Sequence, residues 1–461
     1  MKPLRGKSLP LKVAYCCLAL MAANTWLKIS AQTLPHNSAP EPPRITLREA
    51  IDRALAMNLN GQLVSAKVDE DAATRMRRYA ALMLPRVNAQ SYANSQNRDL
   101  SAFGISLPGM PTVVGPFANY DFRLYAQQNL FDRQSLHTLR SADHAVQADK
   151  LDLRDARDLI VRVTASLYLN AESAAARTEA AQTRVNDSNT LLQLAIDKHN
   201  AGTATGVDLL RAQVQLANDK QSLLVAKNQY KQTLLSLQRD MGMNPGEPLQ
   251  LAESLRYQPI GSQQTDALIQ SALTSRADFL SLASQRASLQ EQQHANHARM
   301  LPKLSINGNF GAIGRSLPSL QPTGMIQGQL DFTVFDRDRQ GEAAQLAASL
   351  RAIDDRVSDL RHGIEEDVRE ALLNLDSAAQ QVEVATEGQQ LARRELELSQ
   401  DRFAQGTANN VEVVTAQDEL ARAQENYILA VTGHTDARFA LARAIGDMEA
   451  NLGKLMASNQ Q

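Results

Sequence analysis

The chain has 461 residues, 43% of them hydrophobic but only 4% aromatic, with much Ala and Leu, a balance that suits long helices rather than a thick globular core. Its formal net charge is −2, which leaves no electrostatic footprint for nucleic acid. Both cysteines, Cys16 and Cys17, fall within the first 31 residues; a chain processed there has no thiol, which excludes disulfide frameworks, cysteine nucleophiles and thiolate metal sites.

Residues 1–31 read as a secretory signal peptide, with Lys2, Arg5 and Lys7 ahead of an apolar run from Val13 to Ala22 and small residues at Ser30-Ala31. The run falls short of the roughly 20 residues of a spanning helix. Tyr15 before Cys16 does not fit a lipoprotein cleavage site. A proline-rich linker covers residues 32–44. Thr46 and Glu49 then form a capping box that opens a helix to about Leu84, with Ile51, Leu55, Leu59, Leu63 and Val68 as its buried side, and Pro85 stops it.

Between residues 85 and 131 the period changes to two. Phe122, Leu124, Ala126 and Leu130 share one face, opposite Asp121, Arg123, Gln127 and Asn129; with a partner strand at Val87 to Asn94 this is a hairpin, apolar on one side and polar on the other. After Asp132 a helical pattern runs to about Asn200. Gly202-Thr203 turns the chain, since a left-handed backbone is cheapest for glycine. A half-length helix, Val207 to Met241, returns. Residues Gly242 to Gly261 interrupt it before another half-length helix over 264–300.

The design then recurs. A second hairpin spans 302–335, with Leu304 to Ala312 facing a strand that places Ile326, Gly328, Leu330, Phe332 and Val334 opposite Gln327, Gln329, Asp331 and Thr333. A second long helix runs from Asp336 to about Ala404, turns at Gly406-Thr407, and returns as Asn410 to Ile445, ahead of a tail at 447–461. Its seam steps through Leu346, Leu350, Ile353, Val357, Leu360 and Ile364, then Val368, Leu372, Leu375, Ala379 and Val382, a heptad pattern with an inserted four-step. Each long helix measures on the order of 100 Å at 1.5 Å per residue, and two stacked short helices match one long one.

The two halves, residues 45–261 and 262–446, are a tandem duplication. Gly202/Gly406, Thr203/Thr407, Val207/Val411, Gln213/Gln417, Leu216/Leu420, Gly242/Gly446 and the Phe-Asp-Arg at 131–133 and 335–337 all stand 204 residues apart. The offset is 217 at Leu84-Pro85/Leu301-Pro302 and 218 at Ile51/Ile269. Each copy is half of one two-fold-like domain. In a secreted chain, hairpins of this kind with no large core beneath them point to a barrel, because a bilayer accepts only helices and closed barrels. Four strands cannot enclose an interior, so several chains must contribute.

In this order and duplicated, ITLREAIDRAL near the start, Leu84-Pro85 and Leu301-Pro302, Asn129 to Asp132, Val334 to Asp336 and the two Gly-Thr turns resemble the TolC-like outer-membrane efflux protein family, from Thr46 to Gly446. The resemblance implies a mainly α fold with a membrane β-barrel: a homotrimer whose 12-stranded barrel in the outer-membrane lipids continues as an α-helical periplasmic tunnel. It also implies partners, a periplasmic adaptor and either an inner-membrane pump or an ABC exporter of type I secretion. The part played is passive, a conduit with no cofactor.

By the same resemblance Ala201, Gly202, Thr203, Gln405, Gly406 and Thr407 are the periplasmic tips that receive the adaptor. Glu412 matches a constriction acid of the pore, while the second acid of that motif falls at Thr415, which is not acidic. Asp208 matches a first-repeat acid that bridges to a basic residue of the other tip, but that partner position here is Ala408, so no such latch is expected. No catalytic constellation accompanies them. His294 and His297, at metal-compatible i, i+3 spacing, read as solvated surface, as does Glu365-Glu366-Asp367. The competing reading is a secreted or surface coiled-coil structural or adhesive protein without a pore, which explains the heptads but not the paired hairpins. A periplasmic adaptor is a further alternative, but it should carry a single helical hairpin with β-rich flanks.

Overall fold

The computed structural model describes residues 43–105, 108–109, 111–259, 261, 264–446 and 448–449. The expected signal peptide, the expected linker up to residue 42 and most of the expected tail lie outside them. The described chain makes the same pass twice. Helices α1 (Leu47–Met57) and α2 (Leu59–Met83), strands β2 (Arg86–Asp99) and β3 (Val113–Phe131), and helices α3 (Arg133–Asn200) and α4 (Gly206–Asp240) form the first. The second consists of α5 (Thr265–Ser275), α6 (Ala277–Ala298), β5 (Lys303–Gly314), β6 (Gln321–Asp331), α7 (Asp338–Ala404) and α8 (Asn410–Ile445). Two-residue strands β1 (Arg44–Ile45) and β4 (Gln250–Leu251) pair in parallel, so Arg44, expected in the linker, is already structured.

Local chemistry sets the boundaries. The Asp132 carboxylate accepts from the Ser135 N–H at 3.0 Å and from its hydroxyl at 2.6 Å, satisfying donors that the start of a helix leaves orphaned. Asp336 likewise accepts from the Arg339 N–H at 3.2 Å, which accounts for the aspartate that precedes each long helix. Thr46 and Glu49 cap α1 reciprocally, as the capping box predicts.

Two continuous helices of the sequence reading are each broken in two. Asn58 (φ −66°, ψ 127°) ends α1 and caps α2, its side chain accepting from the Asn60 N–H at 2.9 Å. Arg276 separates α5 from α6 in the same extended backbone conformation (φ −61°, ψ 121°), but without a side-chain cap. The positions are repeat equivalents, 218 residues apart. Each break receives the end of a returning helix. Gly242 after α4 and Gly446 after α8 hold φ of 66° and 83°, and they approach so closely that an added Cβ would lie 2.7 Å from Met57 Cβ in one case and 2.7 Å from Arg276 Cα in the other. A straight helix would occupy the space these turns need. The break also shifts the start of α2: Leu59 and Leu63, expected inside, are exposed, and Val64 is half-buried in their place, in line with Val68, which is half-buried on the side expected.

The core gathers around these junctions. Ile45, Ile51, Val161, Tyr168, Leu237 and Met241 form one cluster, in which the Tyr168 hydroxyl donates to the Ile45 carbonyl at 3.0 Å. Ile269, Ile364, Val368, Leu375 and Leu441 form its counterpart. Along α7 the buried seam runs Ile364, Val368, Ala371, Leu375, Ala378, Val382. Ala371 and Ala378 therefore replace the expected Leu372 and Ala379, because a single four-step resets the heptad phase and the seam then holds it.

The strands form one antiparallel sheet in the order β2-β3-β5-β6. Phe122, Leu124, Phe310, Ile326 and Leu330 stand on its exposed apolar face, and Asp121 is buried on the other, where the Arg123 Nε–H donates to it at 2.7 Å. Leu124 lies opposite Phe310 and Ile306 opposite Gly328. β6 ends at Asp331, so Phe332, Thr333 and Val334 lie outside the strand expected to include them. Among the described residues no helix is long and apolar enough to cross a membrane.

Candidate functional site

At the ends of α3 and α7 far from the sheet, the two Gly-Thr turns are built alike. Gly202 and Gly406 have φ of 74° and 77°, the left-handed conformation that ends a helix with least strain on glycine. The Gly202 N–H donates to the His199 carbonyl at 3.0 Å and the Thr203 N–H to the Lys198 carbonyl at 2.9 Å; the second turn repeats both bonds, Gly406 to Phe403 at 3.1 Å and Thr407 to Arg402 at 3.0 Å. The threonine hydroxyls add a bond to the same carbonyls, 3.1 Å each. That doubles the capping of one orphaned carbonyl and accounts for threonine after the glycine. Ala201, Gly202, Thr203, Gln405, Gly406 and Thr407 are all exposed.

Beyond the turns the repeats diverge. In the first, Thr205 and Asp208 form a capping box: the Thr205 hydroxyl donates to Asp208 at 2.6 Å and the carboxylate also accepts from the Thr205 N–H at 3.1 Å. These bonds hold the Asp208 carboxyl below its usual range, with the Thr205 hydroxyl the largest cause. In the second repeat Asn409 stands where Thr205 did and caps α8 alone, accepting from the Val411 and Glu412 N–H groups at 3.1 and 3.3 Å. Glu412 is thereby released from capping. Its carboxylate meets Arg402 at 3.1 Å, with both side chains well exposed. The Thr415 hydroxyl donates to the Val411 carbonyl of its own helix at 2.9 Å.

The tips are tied to one another by side chains that bond to backbone carbonyls, while the Asp208 carboxylate stays in its own cap. Lys198 donates to the carbonyls of Phe403 at 2.6 Å and Ala404 at 3.1 Å and lies 4.8 Å from the Phe403 ring centroid. A cation here also suits the negative end of the α7 dipole. The fully buried Asn410 donates from its amide to the Asp208 carbonyl at 3.0 Å. Beneath them Leu191, Leu396, Phe403, Val413 and Leu420 pack as a small core shared by α3, α7 and α8. The sequence reading singled out none of Lys198, Arg402 or Asn410. One signal was available: Lys198 and Arg402 are repeat equivalents, both basic, five residues before the threonine.

His294 and His297 do not form a pair by themselves. His294 sits beside Glu291 on α6, and His137 of α3 reaches the same carboxylate. Glu365-Glu366-Asp367 is largely a solvated face, but Asp367 accepts from Arg276 at 2.6 Å and so fastens α7 to the α5–α6 break.

The chain is similar to known proteins along most of its length. It is 24% identical over 416 residues to the pyoverdine export outer membrane protein OpmQ of Pseudomonas aeruginosa, covering 87% of this chain and 85% of that one. Among solved structures it superposes on the outer-membrane channel OprN with a TM-score of 0.72 and 17% identity, covering 87% of this chain and 90% of that one. The CmeC outer-membrane channel of Campylobacter jejuni gives 0.71 and 17%, with 90% and 89% covered. The open-state MtrE channel of Neisseria gonorrhoeae gives 0.71 and 16%, with 87% and 89% covered. The model of the outer membrane efflux protein family matches residues 51–243 and 268–447, most of both repeats, and the chain belongs to that family as an outer-membrane channel protein.

Proposed function

We propose that three copies of this chain close a 12-stranded barrel and serve as the exit duct of a tripartite efflux pump or type I secretion system, with the tips receiving a periplasmic adaptor. The sheet carries this reading. It has one apolar face, one polar face, and two edges, β2 and β6, with no strand beyond them among the described residues. An open edge cannot stay in a bilayer, so β6 of one copy pairs with β2 of the next. The helices support the same assembly. Val384, Leu391 and Leu398 stand exposed at seven-residue steps on α7, and Val207, Leu210 and Val214 at steps of three and four on α4; these are coiled-coil seams that one copy leaves uncovered. A pore-free adhesive coiled coil would leave the apolar face of the sheet unexplained. Export of pyoverdine by the Pseudomonas relative supports outward conduction.

The test is the assembly state of the full chain extracted from membranes. A trimer fractionating with the outer membrane is expected, and a monodisperse soluble monomer would overturn the proposal. For the tips, Gly406→Val places a β-branched residue in a left-handed turn. It should weaken crosslinking to the adaptor while leaving the trimer intact; unchanged crosslinking and efflux would mean that docking lies elsewhere.

A further inference from the structure

The first turns of α3 and the last turns of α6 flank the roots of the hairpins, one just after β3 and the other just before β5. There His137, Glu291 and His294 converge. His137 Nδ1 lies 2.7 Å from one oxygen of Glu291, and His294 Nδ1 lies 3.7 Å from the other. The two imidazoles meet edge-on with centroids 5.4 Å apart. One ligand atom from each of the three residues fits within 4.8 Å of the others. They border an open pocket of about 560 Å³ that His297, Arg133 and Arg140 also line.

From this arrangement we propose that His137, Glu291 and His294 bind a divalent transition metal of the zinc class, clamping α3 to α6 beneath the barrel. Glu291 and His294 stand at i, i+3, the Glu-x-x-His spacing by which one helix offers a carboxylate and an imidazole to the same ion. His137 supplies the third ligand from the facing helix. Two imidazoles and a carboxylate with a position open to solvent suit Zn²⁺, whose bonds to these groups are about 2.0–2.2 Å. Ligand atoms this close need only small side-chain rotations to reach such bonds.

The backbones that carry the ligands are already fixed. One turn along, buried Ser141 and Ser288 bond to each other at 3.0 Å, and the Ser288 hydroxyl also donates to the Ser141 carbonyl at 3.0 Å. Arg133 and Arg140 set the selectivity. Their charge opposes cations held by field alone, which disfavours Mg²⁺ and Ca²⁺. It leaves ions that bond directly to imidazole.

The experiment uses the full chain in detergent, without a histidine tag, stripped by a chelator and titrated calorimetrically with Zn²⁺ and separately with Mg²⁺. One Zn²⁺ per chain is expected, with no Mg²⁺ uptake, and His137→Ala or His294→Ala should weaken Zn²⁺ by at least ~100-fold. His362→Ala, on the exposed side of α7, should leave it unchanged. Where an alanine variant fails to assemble, Glu291→Gln keeps the side-chain shape, and Zn²⁺ should raise the unfolding temperature of the wild type but not of this variant. Absence of a saturable Zn²⁺ site in the wild type, or undiminished binding in the His137 and His294 variants, would overturn the assignment and leave an ordinary histidine–carboxylate pair.

Discussion

Lys198→Met should loosen the two tips from one another. The substitution keeps the aliphatic stem and removes only the ammonium, which donates to the Phe403 carbonyl at 2.6 Å and the Ala404 carbonyl at 3.1 Å. A hydrogen bond from a charged donor contributes ~1.5–3 kcal/mol. This side chain is half-exposed, so solvent screening places the whole contact near the lower bound, ~1.5 kcal/mol. Asn410→Ala removes a neutral bond to the Asp208 carbonyl, ~1 kcal/mol. Since ~1.4 kcal/mol is tenfold in a population, each change shifts the ratio of joined to separated tips roughly fivefold to tenfold, and the two together by roughly fiftyfold or more if the ties act independently. With the tips as the periplasmic mouth, single channels in planar bilayers should show open fractions rising from wild type to Asn410→Ala, Lys198→Met and the double variant. High salt should shrink the Lys198 effect and spare that of Asn410. A double variant that forms intact trimers with wild-type conductance and open fraction would refute the idea that these ties hold the mouth.

Three further outcomes are expected. Glu412→Gln should lower cation selectivity in bilayers and Arg402→Gln should raise it, since Arg402 partly neutralises Glu412; Asp208→Asn should barely change it, because that carboxylate is engaged in its cap, and the reverse order would place the first repeat at the pore. Gly202→Ala and Gly406→Ala meet no neighbour within 4 Å and should cost only ~1 kcal/mol for the left-handed backbone, whereas Gly446→Ala would also press on the Arg276 backbone, ~2–4 kcal/mol in all; equal losses in thermal unfolding of the trimer would contradict this. Burial, and then the charge of Glu253, push the Glu172 carboxyl from 4.5 up to about 8. The folded state therefore holds a proton that the unfolded chain has lost, and stability should fall as pH rises from about 4.5 to about 8, a decline that Glu172→Gln should flatten; identical melting profiles for the two proteins would rule it out.

Local and periodic features were legible in the residues alone. Thr46 with Glu49, Asp132 after Phe131, and the Gly-Thr turns act through bonds spanning three to five residues, so their chemistry is written in adjacent positions. The alternation of Phe122 and Leu124 with Asp121 and Arg123 needs only the period of a strand to assign its faces. The duplication told which elements must match, and α8 runs from Asn410 to Ile445 as its pattern indicates. Tertiary structure decided what depends on residues distant in the chain. Asn58 and Arg276 break helices because Gly242 and Gly446 need the space, against Met57 and Arg276 in contacts across 185 and 170 residues that no helical periodicity encodes. The turning of Leu59 and Leu63 outward follows from that break. Glu412 became free for Arg402 because Asn409 caps α8 without help, a difference of one residue type whose effect appears only in the bonds each makes. Lys198 reaches across to α7, and His137 joins Glu291 and His294 from another helix, because antiparallel packing brings together residues that sequence spacing keeps apart.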